Sequence, residues 1–96
     1  MSAGRRYRVE LKPAAAKALA KVPRKDRERI ARRIDALADN PRPHQVEQLG
    51  GQSEVVYRIR AGNYRVLYQV ADDVLLVLVV RIADRKDAYR ELDDLV

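Results

Sequence analysis

The sequence predicts an α+β fold in which an N-terminal strand and a two-helix hairpin pack on an antiparallel β-meander, in the order β-α-α-β-β-β, with a short C-terminal helix. Three observations predict it. Apolar residues alternate at period two near the N-terminus. They then recur at helical spacing through the next third of the chain. Three strand-like runs separated by tight turns follow.

Tyr7, Val9 and Leu11 alternate with Arg8 and Glu10, which gives the first strand. Pro13 suits the first turn of a helix, and Ala15, Leu19 and Val22 set its apolar stripe to about Lys21. Pro23 restarts the chain into a second helix. Ile30, Ile34 and Leu37 form its stripe, and Asn40-Pro41-Arg42-Pro43 ends it. Arg24, Lys25, Arg27, Arg29, Arg32 and Arg33 crowd this helix beside Asp26, Glu28 and Asp35. Such a run reads first as a solvated face with i,i+4 pairs such as Glu28 to Arg32, and second as a nucleic-acid-binding helix.

His44 to Ser53 reads as a loop centred on Gly50-Gly51. In the next strand Val55, Tyr57 and Ile59 face one way, and Val56, Arg58 and Arg60 the other. Ala61-Gly62-Asn63 is a tight turn of residues that tolerate positive φ. Tyr64, Val66, Tyr68 and Val70 then share one face of a strand, with Arg65, Leu67 and Gln69 on the other. Asp72-Asp73 makes a second turn. Val74 to Ile82 is apolar on both faces and is expected to be the central, most buried strand. Tyr89, Leu92 and Val96 lie at helical spacing in a short C-terminal element from Asp84. No linker or repeat interrupts the pattern, so residues 1–96 read as one domain.

Composition narrows the function classes. The chain has 96 residues, 20 Lys+Arg against 14 Asp+Glu, and a net charge of +6, which favours polyanionic partners or an acidic protein. It has no cysteine, which removes disulfides and Cys-based zinc sites and fits a reducing cytoplasm. The N-terminus carries no apolar signal core, and the apolar run Val74 to Val80 is too short to span a bilayer. A cytoplasmic protein without a membrane partner is expected. His44 is the only histidine, so a two-histidine nuclease site is excluded. No phosphate loop, nucleophile motif or metal-ligand cluster stands out, and no cofactor is expected.

One constellation remains. Arg58 and Arg60 share a strand face, and Arg65 opens the neighbouring strand just after the turn. Arg81, Arg85 and Tyr89 follow at the end of the last strand. Like charges gathered this way oppose folding. They either pair with acids such as Asp84 and Asp87 or await an anion, and guanidinium forks match phosphate oxygens bidentately.

These residues resemble the RelE/ParE superfamily of bacterial type II toxins, the RelE branch in particular. The resemblance rests on Tyr57-Arg58-Ile59-Arg60-Ala61-Gly62-Asn63-Tyr64-Arg65-Val66-Leu67-Tyr68, on Val77 to Ile82, and on Asp84-Arg85-Lys86-Asp87-Ala88-Tyr89-Arg90. It implies a RelE-like, microbial-RNase-type fold and a metal-independent endoribonuclease, an mRNA interferase that cleaves in the ribosomal A site by 2′-hydroxyl attack on the phosphodiester. It further implies that Arg58 and Arg60 match the family's basic pair, Arg65 the arginine on the scissile phosphate, Arg85 the arginine at the leaving oxygen, and Tyr89 the tyrosine that orients the nucleotide. The family's pair is often lysine. Arginine cannot lose its proton, so a general base at Arg58 or Arg60 is disfavoured and Tyr89 becomes the better proton carrier. The implied partners are an acidic antitoxin that wraps the toxin, the ribosome and mRNA, and operator DNA only through the antitoxin. The alternative is a ParE-like inhibitor of DNA gyrase that acts by binding.

Overall fold

The computed structural model describes residues 6–50 and 55–85. Of the C-terminal helix expected from Asp84, the start is corrected, because Asp84 ends a strand and Arg85 follows in a turn; residues 86–96, Tyr89 among them, and Gly51 lie outside the described residues. The described elements are β1 (Arg8–Leu11), α1 (Pro13–Ala20), α2 (Arg24–Leu37), β2 (Glu47–Leu49), β3 (Val56–Ala61), β4 (Tyr64–Ala71), a single 3₁₀ turn (Asp72–Val74) and β5 (Leu76–Asp84). The α+β class, the helix pair and the antiparallel β3-β4-β5 meander are as the sequence predicts.

Local chemistry sets the helix boundaries. Pro13 is the first residue of α1, where a missing N–H is no loss. Pro23 precedes α2, so the two helices are separated by a residue that cannot donate to a continuing helix. Ala15, Ile30, Ile34 and Leu37 bury their side chains against Tyr57, Ile59, Val66, Tyr68, Val77 and Val79 of the sheet. Full burial of an isoleucine or leucine contributes about 1.5–3 kcal/mol, so Ile30 and Leu37 alone anchor α2 firmly.

The sheet departs from a simple meander. Its strand order is β1-β5-β4-β3-β2, and β1 lies parallel to β5 with Arg8 opposite Leu76. β5 is therefore interior, but β4 is the middle strand. Val74 lies in the 3₁₀ turn and is exposed, and Leu75 takes a positive φ before β5 begins. The segment read as a loop contains a short edge strand, β2, paired antiparallel with β3 so that Glu47 faces Arg58.

A bulge explains why β5 looks apolar on both faces. Leu67 pairs with Arg81 and Tyr68 with Val79, which leaves Val80 as the extra residue. Val77, Val79 and Ile82 pack in the helix-side core. Val80 joins Val56 and Leu67 in a second cluster, with Leu49 and Leu78 beside it. The face away from the helices is thus partly apolar.

Candidate functional site

The β3–β4 hairpin brings the central arginines together. Ala61 pairs with Tyr64, so the loop has two residues, Gly62 and Asn63, rather than three. Of these two, only Gly62 has a positive φ, at 63°. A positive φ at the first loop position matches the twist of a tight hairpin and favours glycine. This turn places Arg60 directly opposite Arg65. Two like charges in direct cross-strand register destabilise a sheet, so folding alone does not account for the pair.

Arg58, Arg60 and Arg65 line one cavity of about 310 Å³ together with Arg33, Gln45 and Glu47. Four guanidinium groups meet one carboxylate there. Arg58 is buried, and its Nε and Nη2 both donate to Glu47 Oε1, at 2.8 and 2.7 Å. Its acidic partner is thus Glu47 of β2. Arg33 reaches across from α2, and its Nε donates to the Arg60 carbonyl at 3.1 Å. Arg60 is exposed and Arg65 half-buried, so their side chains stay open to a ligand.

Arg85 is placed beside this group but does not line the cavity. Its backbone N–H donates to the Asn63 carbonyl at 2.8 Å, which ties the end of β5 to the hairpin turn. It follows two residues after Ala83, the cross-strand partner of Arg65. Arg81, opposite Leu67 on the same sheet face, does not line this cavity; it lines a separate hollow with Ala18, Lys21 and Val22. Tyr89 lies outside the described residues.

The sequence reading missed Arg33 and Glu47. Arg33 belonged to a helix face read as solvated, and Glu47 to a loop. Neither carries a local pattern that marks it, because tertiary contact alone brings each to the hairpin. Chemically, the cavity offers positive donors for an anion, and Glu47 is the one group among its lining residues able to accept a proton. Among the described residues, no group of three or more His, Asp or Glu is placed to hold a metal ion, and no helix is long and apolar enough to cross a membrane.

The opposite end of the meander is built differently. A hollow of about 430 Å³ there is lined mainly by Val55, Val70, Ala71, Leu76 and Leu78, with Arg42 as its cation. Arg42 is already engaged. Its Nη1 and Nη2 donate to the Asp72 carboxylate at 3.1 and 2.8 Å, and its Nε to Tyr57 Oη at 2.9 Å. Tyr7 Oη donates to the same carboxylate at 2.6 Å. These bonds raise the Arg42 pKa, through Asp72 first and Tyr57 second. The arginine-lined cavity is the smaller and the more cationic of the two.

The family model described as the ParE toxin of type II toxin–antitoxin systems matches residues 9–89. A Methanocaldococcus jannaschii protein named as a toxin, RelE1, is 31% identical over 88% of this chain and 97% of its own length. The fold is similar to the archaeal RelE–RelB complex from Pyrococcus horikoshii, with TM-score 0.73 and 30% identity over 82% of this chain and 94% of that one. It is also similar to the toxin–antitoxin complex RelBE2 of Mycobacterium tuberculosis, with TM-score 0.73 and 23% identity, covering 83% and 99% of the two chains. The chain belongs to the ParE toxin family of type II toxin–antitoxin systems, and within the RelE/ParE superfamily it is RelE-like.

Proposed function

We propose that this toxin is a ribosome-dependent mRNA endoribonuclease that cleaves in the A site by attack of a 2′-hydroxyl on the adjacent phosphodiester, without a metal. One observation carries the reading: Arg33, Arg58, Arg60 and Arg65 line a single cavity. Guanidinium groups stay charged at physiological pH and meet phosphate oxygens as bidentate forks. A phosphodiester under attack gathers negative charge on its oxygens, and donors already fixed in place stabilise that charge without reorganising. Arg65 contacts the scissile phosphate, Arg58 and Arg60 neutralise it, and Arg85 serves the leaving oxygen. The 2′-hydroxyl proton goes to Glu47 or Tyr89, since arginine cannot take it.

Partners follow from the same charge. A chain of net charge +6 suits an acidic antitoxin, and the similar toxins from Pyrococcus and Mycobacterium are seen in antitoxin complexes. The ribosome and mRNA are the cytoplasmic targets, and operator DNA is reached through the antitoxin.

Induction of the toxin alone, followed by primer extension on cellular mRNA, tests this reading. Cuts within codons of translated messages are expected. Arg65→Ala should lower cleavage by about 10²-fold with the fold intact. The ParE description of the matching family model supports a second reading, inhibition of DNA gyrase. Intact transcripts with blocked supercoiling would establish it and reject cleavage.

A further inference from the structure

We propose that α2 carries a track for the phosphate backbone of single-stranded RNA, formed by Lys25, Arg29 and Arg33 and continuous with the arginine cavity. The proposal rests on the nuclease reading and extends it from the reacting phosphate to the strand that leads to it.

The three residues are four apart, so they form one ridge along the helix with a rise of about 6 Å per step. Arg33 lines the cavity and bonds to the Arg60 carbonyl. Arg29 lies against the hairpin turn: a Cβ on Gly62 would stand 2.8 Å from Arg29 Nη1 and 3.2 Å from its Cδ. Lys25 is exposed one turn further along. The ridge therefore runs from the cavity, past the hairpin tip, to the start of α2.

The charge of the ridge itself is not engaged within the helix. Arg24 pairs with Glu28, and Arg27 reaches the Ala20 carbonyl. No carboxylate of the described residues bridges Lys25, Arg29 or Arg33. Cations in the first turn also oppose the helix dipole, and the last turn carries none. Helix stability thus gives no reason for the ridge, whereas a line of phosphates does.

RNA fits better than a protein partner. Protein interfaces bury apolar and aromatic side chains at their centre. The exposed face of α2 offers no apolar residue larger than Ala31 and Ala36. A polyanion needs only the cations.

The test uses 2′-O-methyl oligonucleotides, which cannot be cleaved by 2′-hydroxyl attack, as a tetranucleotide and a sixteen-nucleotide strand. Binding is measured by fluorescence anisotropy against salt for the full chain and for Lys25→Gln/Arg29→Gln. The variant should bind the long strand more weakly, and its slope of log affinity against log salt should fall by about 1.4, near 0.7 for each lost contact. Tetranucleotide binding in the cavity should stay unchanged. Lys25→Gln/Arg29→Lys keeps the charge at the hairpin, so its slope should fall by only about 0.7; it also covers the case in which glutamine at 29 disturbs folding, read by circular dichroism. Unchanged long-strand affinity and slope would overturn the track and leave the cavity reading standing. Failure of the wild type to bind the tetranucleotide would overturn the cavity reading, and the ridge would then be judged on the long strand alone. Poly-glutamate binding is measured alongside on the same variants; its loss without loss of RNA binding would assign the ridge to an acidic protein and overturn the proposal.

Discussion

Arg58 directs two donors at one oxygen of Glu47, with Nε at 2.8 Å and Nη2 at 2.7 Å, and does so from a buried position on β3. Glu47 stands on the short edge strand β2 with its side chain 59% exposed. A buried guanidinium is thus held by a carboxylate that solvent can reach. The carboxylate lies where an incoming phosphate would seek its donors, so the two anions compete for Arg58.

Glu47→Gln should therefore tighten binding of the 2′-O-methyl tetranucleotide. The amide oxygen still accepts from Arg58, while the competing negative charge is gone. An exposed partner limits the effect to on the order of 1 kcal/mol, or a few-fold in affinity. Fluorescence anisotropy at low salt reads it. A weaker complex would show that Arg58 needs the carboxylate to hold its orientation.

Asp72 ties three distant segments together, since Tyr7 and Arg42 both donate to it from outside the meander. These bonds, Arg42 first and Tyr7 second, hold its pKa at about 2. An unfolded aspartate titrates at about 3.9. The folded value is depressed, so its contribution is fully present above the unfolded pKa and is lost as pH falls through the folded one. Asp72→Asn should melt below the wild type at neutral pH, and the gap should close between about pH 4 and pH 2. Thermal melts across that range check it, and a gap that persists unchanged at pH 2 would place the stabilisation outside this ionisation.

Tyr68 is fully buried, and its hydroxyl donates to the Pro41 carbonyl at 2.6 Å. Burial raises its pKa, and the charge of the Tyr57 hydroxyl, whose ring stacks on it, raises it further. The hydroxyl therefore stays protonated and keeps donating through the physiological range. Tyr68→Phe leaves the Pro41 carbonyl without that donor and should cost about 1–3 kcal/mol. In a domain of this size that lowers the melting temperature by about 4–8 °C per kcal/mol. Calorimetry measures it, and an unchanged melting temperature would mean that water replaces the bond.

What could be read in the sequence was local. Pro13, Pro23 and Asn40-Pro41 bound α1 and α2 because proline acts on its own neighbours. The alternation in β3 and β4 put Arg58, Arg60 and Arg65 on one face, while the pairing of Arg60 with Arg65 came from a turn one residue shorter than the sequence suggests. What could not be read was set at a distance. β2 holds three residues, Glu47–Leu49, with Leu49 its only apolar one, so no alternation marks it and β3 alone makes it a strand. The parallel pairing of β1 with β5 joins opposite ends of the chain. The bulge at Val80 was hidden because both faces of β5 are apolar. Arg33 and Glu47 reached the cavity by the same distant contacts, which is why the site was half legible.

Gly62 meets two separate constraints that mutation can take apart. Its φ of 63° is one that side chains rarely adopt, and the space beside it is filled by Arg29. Gly62→Ala should destabilise the protein by about 1–3 kcal/mol if the backbone carries most of the strain. The Arg29 guanidinium is the far end of a flexible chain and can swing aside, but its Cδ, 3.2 Å from the new methyl, is less free. Adding Arg29→Ala to Gly62→Ala removes the contact and leaves the backbone unchanged. Denaturant melts of the two single variants and the double variant give a coupling energy. Near-additive losses would place the strain in the turn. Recovery of most of the Gly62→Ala loss in the double variant would place it in the side chain that Gly62 accommodates, and would make this glycine a determinant of where Arg29 sits on the ridge.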